Sequence, residues 1–499
     1  MTRYTVRQRS LLAVGLALGT AACSINPEPL TTPELNEIAK DRSERVIQAT
    51  QEPISGKIDL YEAMARAIKY NLDNQVEIRD AALRFNEFQL SEFDMLPDLV
   101  ASADWSNRSN DPFTTSISTS GLASVEPTRS TESEVLEADL TLSWDVLDFG
   151  LSYYRAKQQG DEFLIAQEQR RSTINRIIED VRTAYWRAVA ADRLSGRINR
   201  LEARTNRALA NARAQVASGE GDRLEALEYQ RELMGILRST QELQRDLGVA
   251  KNQLAALMNV PQNQHYHVVI PRHANLVTPI TRLSSEQMTK IAFLNRPELR
   301  EISYRLRINE QEERTAVLEL LPSLRGFLGL NYSSNEFLEN GTWSSWGARL
   351  SWDLMNLARY PQRKKTVQAA DDLLDARALA LTQAVATQVY VANQRFHSLK
   401  KERRTALEYH NLSDQIFSQT RNEFDSGIST ERDLVREDLN AVLASLRFDN
   451  TYAEMQSAFA NVYAAVGLDA FDGKMTGNES VDELAASLRS LWAERGDRG

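Results

Sequence analysis

Leu142-Ser143-Trp144-Asp145-Val146-Leu147-Asp148-Phe149-Gly150 decides the fold, because its core is written twice. Ser143-Trp144-Asp145-Val146 returns 208 residues later as Ser351-Trp352-Asp353-Leu354. The same offset carries Ser218-Gly219 onto Ser426-Gly427 and Val260 onto Leu468, so about 118 residues repeat without a gap. Upstream, Leu96-Pro97-Asp98-Leu99 returns as Leu321-Pro322-Ser323-Leu324, and Asn110 as Asn335, at an offset of 225. The offsets differ by 17, so the first copy carries extra residues between Asn110 and Ser143. A duplication of about 200 residues predicts two similar units around a pseudo-symmetry.

Within each copy the hydrophobic period changes twice. Leu99, Ala101, Ala103 and Trp105 alternate with Ser102, Asp104 and Ser106, and Ala138 to Val146 alternates in the same way. In the second copy Leu324 to Tyr332 and Trp346 to Leu354 do likewise. Period two with one apolar and one polar face predicts strands, here at about 98–107, 136–147, 323–333 and 343–354. A Ser/Thr-rich loop, Asn107 to Glu134, separates the first pair; a shorter loop with the hairpin signal Asn340-Gly341 separates the second. Beyond each strand pair the period lengthens. Ile174, Ile177, Val181, Tyr185, Ala188, Leu194, Ile198 and Leu201 step mostly by three or four, a coiled-coil-like seam. It predicts a helix from about Leu151 to Ala217, a turn at Ser218-Gly219-Glu220-Gly221 and a return helix from Asp222 to Met258. The second copy predicts a helix from about Pro361 to Phe424, a turn at Ser426-Gly427 and a return from Thr430 to Val466.

These readings divide the chain into a leader (1–22), an extended N-terminal arm with one short helix from Pro33 (23–56), repeat 1 (57–283), repeat 2 (284–470) and a tail (471–499). In the tail Ser480-Val481-Asp482-Glu483 forms a capping box. Leu60 to Leu96 reads as helix broken near Asn71-Leu72-Asp73-Asn74.

Composition excludes several classes. The net charge is −10, and −13 once Arg3, Arg7 and Arg9 leave with the leader, which disfavours nucleic acid as a partner. The mean hydropathy is −0.44, and no run of 18 apolar residues offers a membrane helix. The leader has a basic start and a nine-residue apolar stretch, Leu11 to Gly19. Thr20-Ala21-Ala22 then precedes Cys23 and resembles a bacterial lipobox, with Thr20 where Leu is usual. Cys23 is therefore the candidate site of lipid attachment; ordinary leader cleavage nearby is the other reading. It is the only cysteine, so no intrachain disulfide forms.

Strands of about ten residues with one greasy face suit a tilted crossing of a hydrocarbon core. Four strands cannot close a barrel, and open edges are not tolerated in lipid, so a membrane location requires several chains to share one barrel. A small soluble sheet packed on helices would show the same alternation. Trp105, Trp144, Trp346 and Trp352 on the apolar face favour the interface of a membrane.

At this point the chain resembles the TolC family of outer-membrane channels. The resemblance rests on Leu-Pro before the first strand, on residues 142–150 at the second, and on a turn motif present as Gly427, Thr430, Asp433 and Leu434, with Gly219, Asp222 and Glu225 in the first copy. It covers roughly residues 57 to 468. It implies a mainly α fold with a small membrane β part, in which long coiled-coil helical hairpins join four strands per chain. A homotrimer would then form a 12-stranded β-barrel continuous with an α-helical barrel. It further implies a passive exit duct in the outer-membrane lipid of a Gram-negative bacterium, lipid-anchored and extending into the periplasm. Its implied partners are a periplasmic adaptor protein and an inner-membrane pump of RND or ABC type, for efflux or type I secretion.

By motif the family's periplasmic aperture falls on Asp433, with Arg436 where a second acidic residue is often found and Glu225 in the first copy. The plain alternative for Asp433 is a helix-start charge favoured by the dipole. Ser218, Gly219, Ser426 and Gly427, at the distal ends of the hairpins, are candidates for adaptor contact. Asp139, Asp145, Arg349 and Asp353 fall on the polar strand faces and would line the barrel lumen.

Catalysis finds no support. No phosphate loop, dinucleotide fingerprint or Gly-x-Ser-x-Gly is present, and no cofactor or metal is expected; His265-Tyr266-His267 lies in a linker without nearby Cys. The competing expectation is a periplasmic coiled-coil scaffold lipoprotein that conducts nothing.

Overall fold

The computed structural model describes residues 29–48, 51–115, 121, 126–218, 222–261, 264–272, 276, 278–281, 283–471 and 479–496. Cys23, the leader and Gly219 lie outside the described residues. The chain divides into two units, Met1–Pro53 and Ile54–Gly499. The first contains α1 (Thr32–Gln48), a helix of 17 residues where a shorter one was expected in an extended arm. Thr31 starts it: its backbone N–H donates to Glu34 Oε2 at 2.7 Å.

In the second unit β1 (Lys57–Ile58), α2 (Leu60–Tyr70) and α3 (Leu72–Phe93) precede the first long hairpin of strands. Asn71 breaks α2 from α3. It ends one helix and caps the next, its Oδ1 accepting from Asp73 N and Asn74 N. β2 (Asp98–Asn107) and β5 (Glu134–Asp145) enclose a small hairpin, β3 (Phe113–Thr114) with β4 (Thr128–Arg129). Then come α4 (Val146–Ser218), α5 (Arg223–Leu257), β6 (His267–Val268), α6 (Ser285–Asn295) and α7 (Pro297–Leu318). The second copy runs β7 (Ser323–Ser333), β8 (Thr342–Ser351), α8 (Leu354–Asp425) and α9 (Glu431–Val466), and α10 (Val481–Glu494) follows. The expected architecture of long helices with four principal strands is present.

The strands form one antiparallel sheet in the order β2-β5-β7-β8, so β5 of the first copy joins β7 of the second. Asn340-Gly341 does not form a two-residue turn. Eight residues separate β7 from β8, and Gly341 sits at the closing pair, its carbonyl accepting from Ser333 N at 2.8 Å.

At 73 residues α4 spans about 110 Å. Alone such a helix gains little, so its stability comes from burying its seam. Ala184, Ala188, Ala190, Ala208 and Ala212 along that seam are buried. Their small side chains allow α4 to pack closely on α5 and α9. One cluster joins the middle of α4 to α2, α8, α9 and α10; a second joins its distal part to α5 and α9.

Polar clamps fix the register of this packing. Arg193 of α4 pairs with Asp449 of α9. Arg197 Nε reaches Asp438 Oδ1 at 3.2 Å and Arg204 Nη1 reaches Asp438 Oδ2 at 2.8 Å. Arg197 also meets Asp414 of α8 at 3.0 Å. Because Asp438 is buried, removing it would take the carboxylate from Arg204 and leave Arg197 with Asp414 alone, rather than simply delete a pair.

Both long outgoing helices start earlier than the sequence pattern suggests. Asp145 Oδ1 accepts from Leu147 N at 2.9 Å and Asp148 N at 3.3 Å, and Asp353 Oδ1 accepts from Met355 N at 2.9 Å. Asp145 caps its helix as the last residue of β5, and Asp353 caps its own two residues after β8 ends. Pro361 therefore lies inside α8, at the start of its third turn, rather than at its start.

Candidate functional site

Two regions carry the features that sequence reading tied to transport. The first is the sheet. Its pleat places Leu99, Trp105, Leu140, Leu328, Trp346 and Leu350 on one face, with Trp346 83% and Leu350 69% exposed. A contiguous apolar face this exposed is too costly to leave in water. Two edges are also open, since β2 and β8 each pair on one side only.

On the opposite face Asp139 stands across from Asn331 on β7 and from Ser102 on β2, whose hydroxyl it accepts. Arg349 shares that face. Asp145, expected with Asp353 to line a lumen, shares this face opposite Arg325, and both aspartates also serve as the helix caps described above. Asp145 is buried and additionally takes the Ser323 hydroxyl and the Arg325 guanidinium, the latter at 3.6 Å. Arg325, Phe327 and Trp343 lie on the polar face and escaped notice as lining residues. Their strand parity was the available signal.

The second region is the distal end of the hairpins. Ser426 caps α8 and Gly427 follows at φ +73°. Gly427 N donates to Phe424 O and Ile428 N to Glu423 O, a Schellman closure that needs a left-handed residue at Gly427. Ser218 is exposed at the end of α4, and Ile428 is 78% exposed at the other turn. Ser218 and Ile428 thus present accessible side chains at the two hairpin ends.

Thr430 begins α9. Its hydroxyl accepts from Asp433 N at 3.2 Å and donates to Asp433 Oδ2 at 2.6 Å. Arg436 Nη2 donates to Asp433 Oδ1 at 2.7 Å. The Thr430 hydroxyl first, then the Arg436 charge, hold the Asp433 carboxyl below its usual range, so it stays ionised. Glu225 is on the facing helix α5 and lines a cavity of about 650 Å³ together with Asp222, Tyr229, Thr430, Glu431 and Arg432. The structure thus brings Glu225 of the first copy beside the turn that carries Asp433. Arg432 Nε reaches Glu232 Oε2 of α5 at 2.6 Å and ties the two copies together at this level. Burial first, then the charges of Glu431 and Glu232, push the Tyr229 phenol up to about 12, so it remains neutral.

Among the described residues no cluster of His, Cys, Asp and Glu could hold a metal, and no helix is long and apolar enough to cross a membrane. His267 reaches only Asp192, at 3.8 Å.

A short amphipathic sheet opening directly into two long antiparallel helical hairpins is a fold shared with solved outer-membrane channels. Residues 68–260 match the model of the outer membrane efflux protein family. Solved structures agree on the fold along most of the chain. The outer membrane channel CmeC of Campylobacter jejuni has a TM-score of 0.65 at 14% identity, covering 94% of this chain and 99% of that one. The open state of MtrE of Neisseria gonorrhoeae has a TM-score of 0.60 at 15% identity, covering 85% and 95%. VceC of Vibrio cholerae has a TM-score of 0.58 at 13% identity, covering 82% and 96%. No curated protein matches the chain. The family is one of efflux channels, which conduct rather than catalyse, as the sequence led one to expect.

Proposed function

We propose that this channel protein is the exit duct of a tripartite export system. Three copies share one membrane barrel, and the helical tips dock a periplasmic adaptor that links the duct to an RND or ABC pump. The observation that carries this reading is the sheet, with a bare apolar face and two unpaired edges. Lipid rewards the apolar face, and only sister strands can satisfy the edges. Energy must come from the pump, since the chain has no nucleotide-binding motif. The expected results are an outer-membrane oligomer that migrates as a trimer unheated and as a monomer after boiling, and discrete conductance steps in planar bilayers. A water-soluble, well-folded monomer would instead support the scaffold alternative.

Acylation of Cys23 would tether the duct. Labelled fatty acid is expected to enter the wild-type chain and not Cys23→Ser; equal labelling of the two rules out this attachment.

Asp433 is proposed to narrow the periplasmic end as a ring of carboxylates, each half-neutralised by Arg436. Divalent cations should therefore block single-channel current weakly in the wild type and more strongly in Arg436→Ala. Asp433→Ala should remove the block. Because the pKa is depressed, protonation comes late: block should persist at about pH 5 and fade only below the ordinary carboxylate value near about 3.9. Identical block in all three proteins counts against this gate.

A further inference from the structure

We propose that the sheet joins a second copy of this chain in one defined register, with Arg349 of β8 opposite Asp104 on β2 of the neighbouring copy. The inference rests on the shared-barrel reading and specifies its seam.

The duplication supplies the register. In the first hairpin Asp98 stands opposite Ser143. Their repeats, Ser323 and Ser351, stand opposite each other in the second hairpin. The two sequence offsets thus superimpose one hairpin on the other strand for strand. The join between β5 and β7 inside the chain is then a template for the join between β8 and the next copy's β2. At that internal join Thr141 faces Gly329. Carried forward by 208, Thr141 becomes Arg349; carried back by 225, Gly329 becomes Asp104.

The charges fit this seam and no neighbouring one. Within the chain Arg349 stands across from Arg325, and Asp104 across from Glu137. Each open edge therefore carries a like-charged couple, which disfavours the isolated sheet. Among the described residues neither Arg349 nor Asp104 forms an ion pair. Closing the seam builds one row across the lumen face: Glu137, Asp104, Arg349, Arg325, Asp145. Two negative groups meet two positive ones, and Asp145 already holds Arg325. The lipid face fits as well. The internal pairs Leu140–Leu330, Leu142–Leu328 and Trp144–Gly326 become Ala348–Trp105, Leu350–Ala103 and Trp352–Ala101. A large side chain meets a small one at every step. A slip of two residues sets Arg349 against Ser102 or Ser106 and brings Trp105 against Leu350 or Trp346; a slip of one turns the apolar face inward.

Paired cysteines test the register. Oxidised full-length Arg349→Cys/Asp104→Cys should run as a covalent trimer after boiling without reductant. Arg349→Cys/Ser102→Cys and Arg349→Cys/Ser106→Cys should run as monomers, as should the native chain with Cys23 alone. Charge reversal is an independent arm. Arg349→Glu and Asp104→Arg should each lower the temperature at which the unboiled trimer dissociates, and the double exchange should recover most of the loss. Cross-linking of a slipped pair, or a double exchange no better than the singles, overturns this register while the duct reading stands. A native chain that forms no oligomer in detergent overturns both.

Discussion

Gly467→Ala is expected to destabilise the helical body by on the order of 3–5 kcal/mol. Two costs act at one residue. Gly467 ends α9 at φ +75°, where an L side chain loses about 1–2 kcal/mol. A Cβ there would also lie 2.7 Å from Arg296 N and from the carbonyl carbon of Asn295. Those atoms belong to the junction of α6 and α7, and backbone cannot swing aside as a flexible side chain can. Gly427 provides the internal comparison. Its φ is +73°, yet a Cβ there meets nothing within 4 Å. Gly427→Ala should cost only about 1 kcal/mol. The check is the denaturation midpoint of helical circular dichroism for both variants in the same detergent. Equal shifts would show that the α9 end has room to move away from the α6–α7 junction.

Trp492→Ala should rank with it, at about 3–5 kcal/mol. Trp492 is fully buried although it comes from the last helix of the described chain. Its Nε1 donates to Ala470 O at 3.1 Å, and the buried Arg182 guanidinium of α4 lies 4.5 Å from its ring centroid. Phe459 and Tyr463 of α9 close around it, each ring centroid at 5.8 Å. Truncation leaves a cavity and removes the aromatic cover of a buried cation. Trp492→Phe should recover most of the packing but neither the hydrogen bond nor all of the cation–π attraction. A midpoint for Trp492→Ala within error of wild type would mean that α10 is dispensable to the helical body. That contradicts its place in the main core.

The two predictions show why the repeat was legible and these positions were not. Alternation and the two offsets placed β2 at 98–107 and β7 at 323–333, the bounds observed. They misplaced the ends of β5 and β8 by two to three residues. Asp145 and Asp353 stop strand and start helix in one step, and hydrophobic period does not register a cap. Pro361 was read as a boundary because proline is costly in helix interiors, but Asp353 had already nucleated the helix about two turns upstream. The capping box at Ser480 and Glu483 was legible because it is a local pattern, and both of its hydrogen bonds form. The residues proposed for the aperture were legible only one at a time. That Glu225 lines the same cavity as Thr430 and Arg432 depends on how α5 packs beside α9, across some 200 residues of chain. The proposed partner of Arg349 was hidden for a different reason: among the described residues of one chain it forms no ion pair.

The identical pairing of the two β-hairpins has a structural consequence beyond the seam. If, as proposed, the edge between copies repeats the junction within a copy, the strands meet every neighbour alike, and strand pairing by itself does not say where to stop adding subunits. Stoichiometry must then be counted elsewhere, by the wedge angle at which α4, α5, α8 and α9 lean together below the bilayer. A substitution that alters helix crossing would change the number of protomers in the ring while leaving each strand pair untouched.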